Sequence, residues 1–321
     1  MWILPIILIL LFLSVPSAIG QPRPNQPPAQ PRRTLAYAQA GSRPLLLDLY
    51  LPPKALTPVP VVIYIHGGDW MFGDRSAPPV LFLLDYNLAV ASIDYRLAPR
   101  NRFPTQIQDC RDALVFLRDD AKRLGIDPSR IGVMGESAGA HLAALLATAP
   151  DDKQFVGTRK TPLAPPVQAA CCISGPMDIE YLGDLADLAQ NSIGRHPIQQ
   201  LLGGTTDQKR PLARLASPIR HITQNTPPFL LIFGDRDLVV LPILNRDMCA
   251  ALQAAKIPVQ THEIQGLGHD MIAIWTPEVC QQVATFFHHQ LLKSPATTHR
   301  TTTQPSTQPQ TQPSSQPSQK P

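Results

Sequence analysis

The sequence predicts one α/β domain, a mostly parallel sheet covered by helices on both faces, and three observations carry that expectation. From Leu35 onward, short apolar runs rich in strand-forming residues alternate with longer amphipathic ones. Most of the short runs are continuously apolar rather than alternating, as strands buried on both faces are. The repeated order strand, helix, strand calls for right-handed crossovers and therefore parallel neighbours.

Taken in chain order, the runs 45–51, 61–65, 88–94, 130–134, 167–174, 229–233 and 259–264 read as strands. Between and after them, 107–124, 138–149, 241–256 and 277–292 show helical spacing. Asp127-Pro128 and Gly203-Gly204 mark turns. The stretch from about 175 to 221 has no clear strand signal and is expected to form a small helical insertion, a cap over the strand ends. The catalytic-size domain is thus expected at 34–293.

The flanks differ in kind. Residues 1–20 are apolar without a charge, and small residues at Ala18 and Gly20 fit an export signal cut ahead of Gln21. The run approaches the length of a membrane span, so an uncleaved anchor is the alternative, and only then would a membrane be a partner. Residues 21–33 form a proline-rich spacer. In the tail, 294–321, Gln-Pro recurs at 304, 308, 312 and 316, a low-complexity pattern. A secreted, periplasmic or envelope location is the expectation.

Charge excludes one class of partner. The chain has 28 Lys and Arg against 24 Asp and Glu, a net of +4, but Arg23, Arg32, Arg33, Arg300 and Lys320 all lie in 1–33 and 294–321, where no acid occurs. The remainder holds 23 basic and 24 acidic groups, a net of −1 by subtraction. No nucleic-acid-binding surface is expected on the domain. Of five cysteines, Cys249 and Cys280 fall in two helices and could be bridged; Cys110, Cys171 and Cys172 read as small buried hydrophobes, a reading equally open to the other two. No metal-ligand spacing occurs.

The chemistry starts at Gly135-Glu-Ser137-Ala-Gly139, between a strand and a helix. Such a Gly-x-Ser-x-Gly turn is so tight that small residues must flank the serine, whose hydroxyl is lifted above the sheet. A serine hydroxyl attacks only if a base takes its proton, so an acid and an imidazole should follow in that order. After strand 229–233 comes Gly234-Asp-Arg-Asp237-Leu-Val-Val, and after strand 259–264 comes Gly266-Leu-Gly268-His269, a glycine-flanked histidine on a loop. Asp235, close to the strand end, suits bracing the turn; spacing favours Asp237. His141 is expected to pack, and His196, His221, His262, His288 and His289 lack a glycine-flanked loop.

Acyl chemistry also needs donors for the oxyanion. Strand 61–65 ends in His66-Gly67-Gly68-Asp69-Trp70, where the amides of Gly68 and Asp69, with that of Ala138 after the serine, could converge on one oxygen. His66 is expected to brace this loop.

These stretches, together with Leu46-Leu-Asp-Leu-Tyr-Leu-Pro52, Asp94-Tyr-Arg-Leu-Ala-Pro99 and Phe103-Pro104, resemble the α/β-hydrolase superfamily, in its esterase branch related to hormone-sensitive lipase and to feruloyl and acetyl esterases of the BD-FAE type. The resemblance implies Ser137 as nucleophile, Asp237 as acid, His269 as base, Gly67, Gly68, Asp69 and Ala138 as the oxyanion hole, and no cofactor or metal. It implies hydrolysis of small acyl esters through an acyl-enzyme, including acetyl or feruloyl esters of polysaccharides. An amidase or peptidase on the same fold, and a non-catalytic binding protein, are the alternatives. Asp69 stands where many relatives have a third glycine; its carboxylate is tolerable if it turns away or pairs, with Arg75 as the nearest candidate.

Overall fold

Eight strands form one sheet in the order β1-β2-β4-β3-β5-β6-β7-β8. They are β1 (Arg32–Ala40), β2 (Arg43–Tyr50), β3 (Val59–Ile65), β4 (Ala89–Ile93), β5 (Ile126–Glu136), β6 (Ala169–Ile173), β7 (Phe229–Gly234) and β8 (Val259–Ile264). The computed structural model describes residues 32–53, 58–161, 166–188 and 196–292. The expected export segment 1–20, residues 21–31 of the expected spacer and the tail 294–321 lie outside them. Among the described residues no helix is long and apolar enough to cross a membrane.

The helices are α1 (Thr105–Asp119), α2 (Ala121–Leu124), α3 (Ala138–Thr148), α4 (Ile179–Leu188), α5 (Pro197–Leu202), α6 (Arg210–Leu215), α7 (Pro242–Ala254) and α8 (Pro277–Leu292). From β3 to β8 every strand pairing is parallel, while β1–β2 and β2–β4 are antiparallel. Strand side chains alternate between faces, so one strand feeds two cores. Ile63, Ile65 and Val133 pack with Leu114 of α1 and Leu142 of α3, whereas Val62, Tyr64 and Met134 pack with Phe286 and Phe287 of α8. Burying a ring such as that of Phe287 stabilises the fold by roughly 2–3 kcal/mol. Gly132 of β5 makes the room, since a Cβ there would stand 2.6 Å from that ring.

Each strand and helix read from the sequence has its counterpart, with two differences of local origin. Residues 107–124 break at Asp120 into α1 and α2. The Asp127-Pro128 turn lies inside β5, where the pairing of β3 jumps from Ile126 to Ile131; Asp127 Oδ1 accepts the Ser129 amide at 2.8 Å and its Oδ2 takes Arg130 at 2.6 Å. One strand was not anticipated. β1 starts at Arg32, so the domain boundary at 34 is corrected to include Arg32 and Arg33, which pair with Tyr50 and Leu49. All five cysteines are unbridged, Cys249 and Cys280 included.

The expected cap is present between β6 and β7 as α4, α5, α6 and a 3-10 turn, Pro218–His221. Glu180 holds it together, accepting Arg210 at 3.0 Å, Arg214 at 2.9 Å and Arg220 at 2.5 Å.

Candidate active site

The turn from β5 into α3 forces Ser137 to φ 52° and ψ −120°, a sparsely populated conformation held in place by its surroundings. Its amide donates to Ile173 O at 2.8 Å. The flanking glycines are required by contact: a Cβ on Gly135 would lie 2.4 Å from Gly139, and one on Gly139 would lie 2.1 Å from Ile65 O. The elbow therefore presses directly on the end of β3. Every residue of α3 is buried, and its alanine-rich sequence suits both helix formation and close approach to the sheet.

Asp237 and His269 arrive on the loops after β7 and β8. Asp237 is fully buried; its Oδ1 accepts the Val239 and Val240 amides at 2.9 and 2.8 Å, and its Oδ2 accepts His269 Nδ1–H at 2.6 Å. The opposite ring nitrogen, Nε2, lies 3.0 Å from Ser137 Oγ. A carboxylate on Nδ1 leaves Nε2 free to accept the serine proton. Asp235 braces instead, its Oδ1 accepting the Gly266 amide at 2.6 Å and so fixing the start of the histidine loop.

The loop after β3 faces the serine. A Cβ on Gly67 would stand 3.4 Å from Ser137 Cβ, and Gly68, at φ 97°, turns the chain so that the Met71 and Phe72 amides both donate to its carbonyl. Asp69 and Trp70 follow at φ 55° and 61°. Among the described residues, the amides of Gly68 and Asp69 have no intramolecular acceptor. With that of Ala138, the first residue of α3, they are donors left for a ligand oxygen, at a helix N-terminus that favours negative charge.

Two histidines support this loop. His66 stacks on Tyr95 at 4.3 Å and donates through Nδ1 to Gly67 O at 2.8 Å. Burial pushes its pKa down, and the Gly67 carbonyl opposes that. His141 of α3 is wholly buried; its Nδ1 accepts the Trp70 indole N–H at 3.1 Å, and its Nε2–H donates to Ala216 O of the cap at 2.6 Å. One neutral ring thus joins the loop after β3, helix α3 and the cap, and burial lowers its pKa to about 4. Its place in the site was hidden in the sequence, where it reads as one more residue on an apolar helix.

Of the two ways of tolerating Asp69, pairing with Arg75 is not the one used. Arg75 turns to Asp94, bonding Oδ2 at 2.8 Å, and stands 3.2 Å from Asp48 Oδ1, within ion-pair distance but off the hydrogen-bond line. Burial pushes the Asp69 carboxyl up, while His269 and His196 pull it back. His196, at the start of α5, had no local sequence signal; only the fold of the cap brings it here.

A cleft of about 640 Å³ contains Ser137, His269, Asp69, Asp74 and Glu136. Glu136 accepts Tyr64 Oη at 3.1 Å and Trp275 Nε1 at 2.5 Å. Phe72, Leu238 and Ile272 are exposed on the three loops that carry the site.

An eight-stranded, mostly parallel sheet with the serine at a strand-to-helix elbow and the histidine after the last strand defines an α/β-hydrolase. The chain belongs to the BD-FAE family, whose sequence pattern matches residues 47–252. It is 31% identical over 258 residues to esterase LipC of Mycobacterium tuberculosis, covering 74% of this chain and 59% of that protein. The chain thus spans about three-fifths of the length of that curated relative. A truncated carbohydrate esterase from gut microbiota superimposes with a TM-score of 0.73 at 26% identity, covering 85% of this chain and 100% of that one. A bacterial heroin esterase gives 0.64 at 26% identity over 81% and 83% of the two chains.

Proposed function

We propose that this chain is a serine carboxylic ester hydrolase working through an acyl-enzyme on small acyl esters, with acetyl or feruloyl esters of polysaccharides as the substrate class. The observation that carries the reading is the continuous line Asp237, His269, Ser137, with contacts of 2.6 and 3.0 Å, ending beneath open backbone amides. Family membership and the esterase names of the relatives support it.

In this reading Ser137 Oγ attacks the ester carbonyl as its proton passes to His269 Nε2. The carbonyl oxygen, now negative, is held by the amides of Gly68, Asp69 and Ala138, where each donor contributes roughly 10²–10³ in turnover. The C–O bond breaks, and the alcohol leaves with the proton from Nε2. Water then enters, gives a proton to Nε2, attacks the acyl carbon, and releases the acid as Ser137 regains its hydrogen. Asp237 keeps Nδ1 protonated throughout and stabilises the imidazolium.

Ser137→Ala should abolish hydrolysis of short-chain aryl esters with an unchanged circular dichroism spectrum, and a fluorophosphonate should label the wild-type protein at Ser137 alone. Retained turnover, or no label, would sink the assignment. A panel of acetyl, butyryl, octanoyl and feruloyl esters beside acetylated xylan assigns the acyl group. Export through residues 1–20 is part of the same proposal; an intact mass beginning at Gln21 is its test.

A further inference from the structure

We infer that the carboxylate of Asp69 selects the alcohol half of the ester by charge, favouring cationic alcohols and excluding anionic ones. The inference rests on the ester-hydrolase reading of Ser137.

Asp69 serves two ends of one residue. Its amide stands among the oxyanion donors, and its side chain lines the cleft that contains Ser137. Among the described residues that carboxylate has neither a hydrogen-bond donor nor an ion-pair partner, unlike the other two acids of the cleft. Asp74 accepts the Ser76 amide at 2.7 Å, and Glu136 holds Tyr64 and Trp275. The cation next in sequence, Arg75, is committed to Asp94 and Asp48 on the other side of the loop. Among the described residues no lysine or arginine lines the cleft. A half-buried carboxylate without a partner is costly, and a substrate cation or donor would relieve that cost.

Position decides which half of the substrate meets it. Asp69 lines one cleft with His269 and Ser137, and the His269 and His196 imidazoles favour its ionised form. His269 Nε2 must hand its proton to the departing alcohol, so the alcohol occupies the space beside that nitrogen. Sharing the cleft with His269 puts Asp69 beside the alcohol in this inference. Uronate-bearing or otherwise anionic alcohols would meet like charge there.

Among the described residues, the titratable groups around the Asp69 carboxylate are His269 on its loop, His196 on the cap and Tyr95 after β4, with His66, Asp74 and Glu136 on the cleft wall. Only the ionised form discriminates, so the preference must weaken as pH falls through the raised Asp69 pKa and as salt screens the site.

The test uses three thioesters of one acyl group: butyrylthiocholine, its uncharged analogue with carbon in place of the ammonium nitrogen, and an analogue ending in sulfonate. At alkaline pH and low salt, wild-type kcat/KM should favour the cation over the neutral ester by about tenfold, a modest share of what a charge at close range can supply. The sulfonate should be the poorest of the three. Asp69→Asn keeps the amide and a residue tolerant of positive φ, and Asp69→Gly tolerates it fully. In both, the cation-to-neutral ratio should fall to near unity, whatever happens to turnover of the neutral ester. Because the ratio is taken within each protein, a general loss of activity does not imitate this result. A wild-type ratio near unity, or a wild-type preference that ignores salt and pH or survives in both variants, overturns the inference while leaving the hydrolase reading intact. No turnover of any thioester together with an unlabelled Ser137 overturns both.

Discussion

Asp237 reaches His269 with one oxygen at 2.6 Å while the Val239 and Val240 amides hold its other oxygen at 2.9 and 2.8 Å. That double grip fixes what an isosteric change would do. In Asp237→Asn the two amides keep the carbonyl oxygen, so the side-chain NH2 must face His269 Nδ1. The ring is then driven to the tautomer with hydrogen on Nε2 and cannot accept the serine proton. Turnover of a short aryl ester should fall by about 10⁴ with the fold retained, as expected for the wrong tautomer at such a triad. Steady-state kinetics beside a melting curve would check both parts.

Asp235, two residues earlier, supplies the contrast. It accepts the Gly266 amide and does not touch His269. Asp235→Ala should cost about 1 kcal/mol in urea unfolding, the net value of one hydrogen bond. Its effect on kcat should stay below about tenfold, since the histidine loop loosens but no reacting group is lost. A drop comparable to that of Asp237→Asn would reverse the two assignments.

The glycines predict a second contrast. In Gly139→Ala the new methyl would stand 2.1 Å from Ile65 O and 2.5 Å from His66 O, both backbone atoms, so the elbow and β3 would have to separate. We expect loss of soluble protein or destabilisation above about 3 kcal/mol, the scale of severe overpacking. Gly266 has nothing within 4 Å of its missing Cβ and only a φ of 77° to accommodate. Gly266→Ala should cost about 1–2 kcal/mol, the strain of a left-handed alanine. Thermal melts of the pair would separate contact from conformation.

Strands β3, β4, β6 and β7 were legible because they are buried on both faces and therefore almost wholly apolar, as in Phe229-Leu-Leu-Ile-Phe233. β1 was not legible, because it is an outer antiparallel strand on which only Tyr37 is buried and whose first two residues are arginines. Its identity depends on pairing with β2, which no local pattern records. The same division runs through the site. Ser137, Asp237 and His269 announce themselves by glycine-flanked turns at strand ends, where the backbone leaves little choice. His141, His196 and the committed partners of Arg75 matter through contacts across at least 19 residues of sequence, the span from Arg75 to Asp94, and only the folded chain brings them together.

His141 makes the last prediction, in pH. Its folded pKa, lowered to about 4 by burial, lies below the 6.5 of an exposed imidazole. Between those values the unfolded chain binds a proton that the folded chain refuses, so stability rises with pH through this window. The contribution is complete above about 6.5 and is progressively lost as pH falls toward 4, an order of roughly 3 kcal/mol for one such group. Burial also lowers His66 and His196, so the whole protein should lose stability in the same range, with His141 supplying only part of the slope. His141→Gln should be less stable than wild type at neutral pH, because the Trp70 indole and the Ala216 carbonyl lose their common partner. It should nevertheless lose less on acidification. Urea unfolding at closely spaced pH values measures both slopes, and equal slopes would mean that the ring titrates alike in the folded and unfolded chains, contrary to its burial between the loop after β3 and the cap.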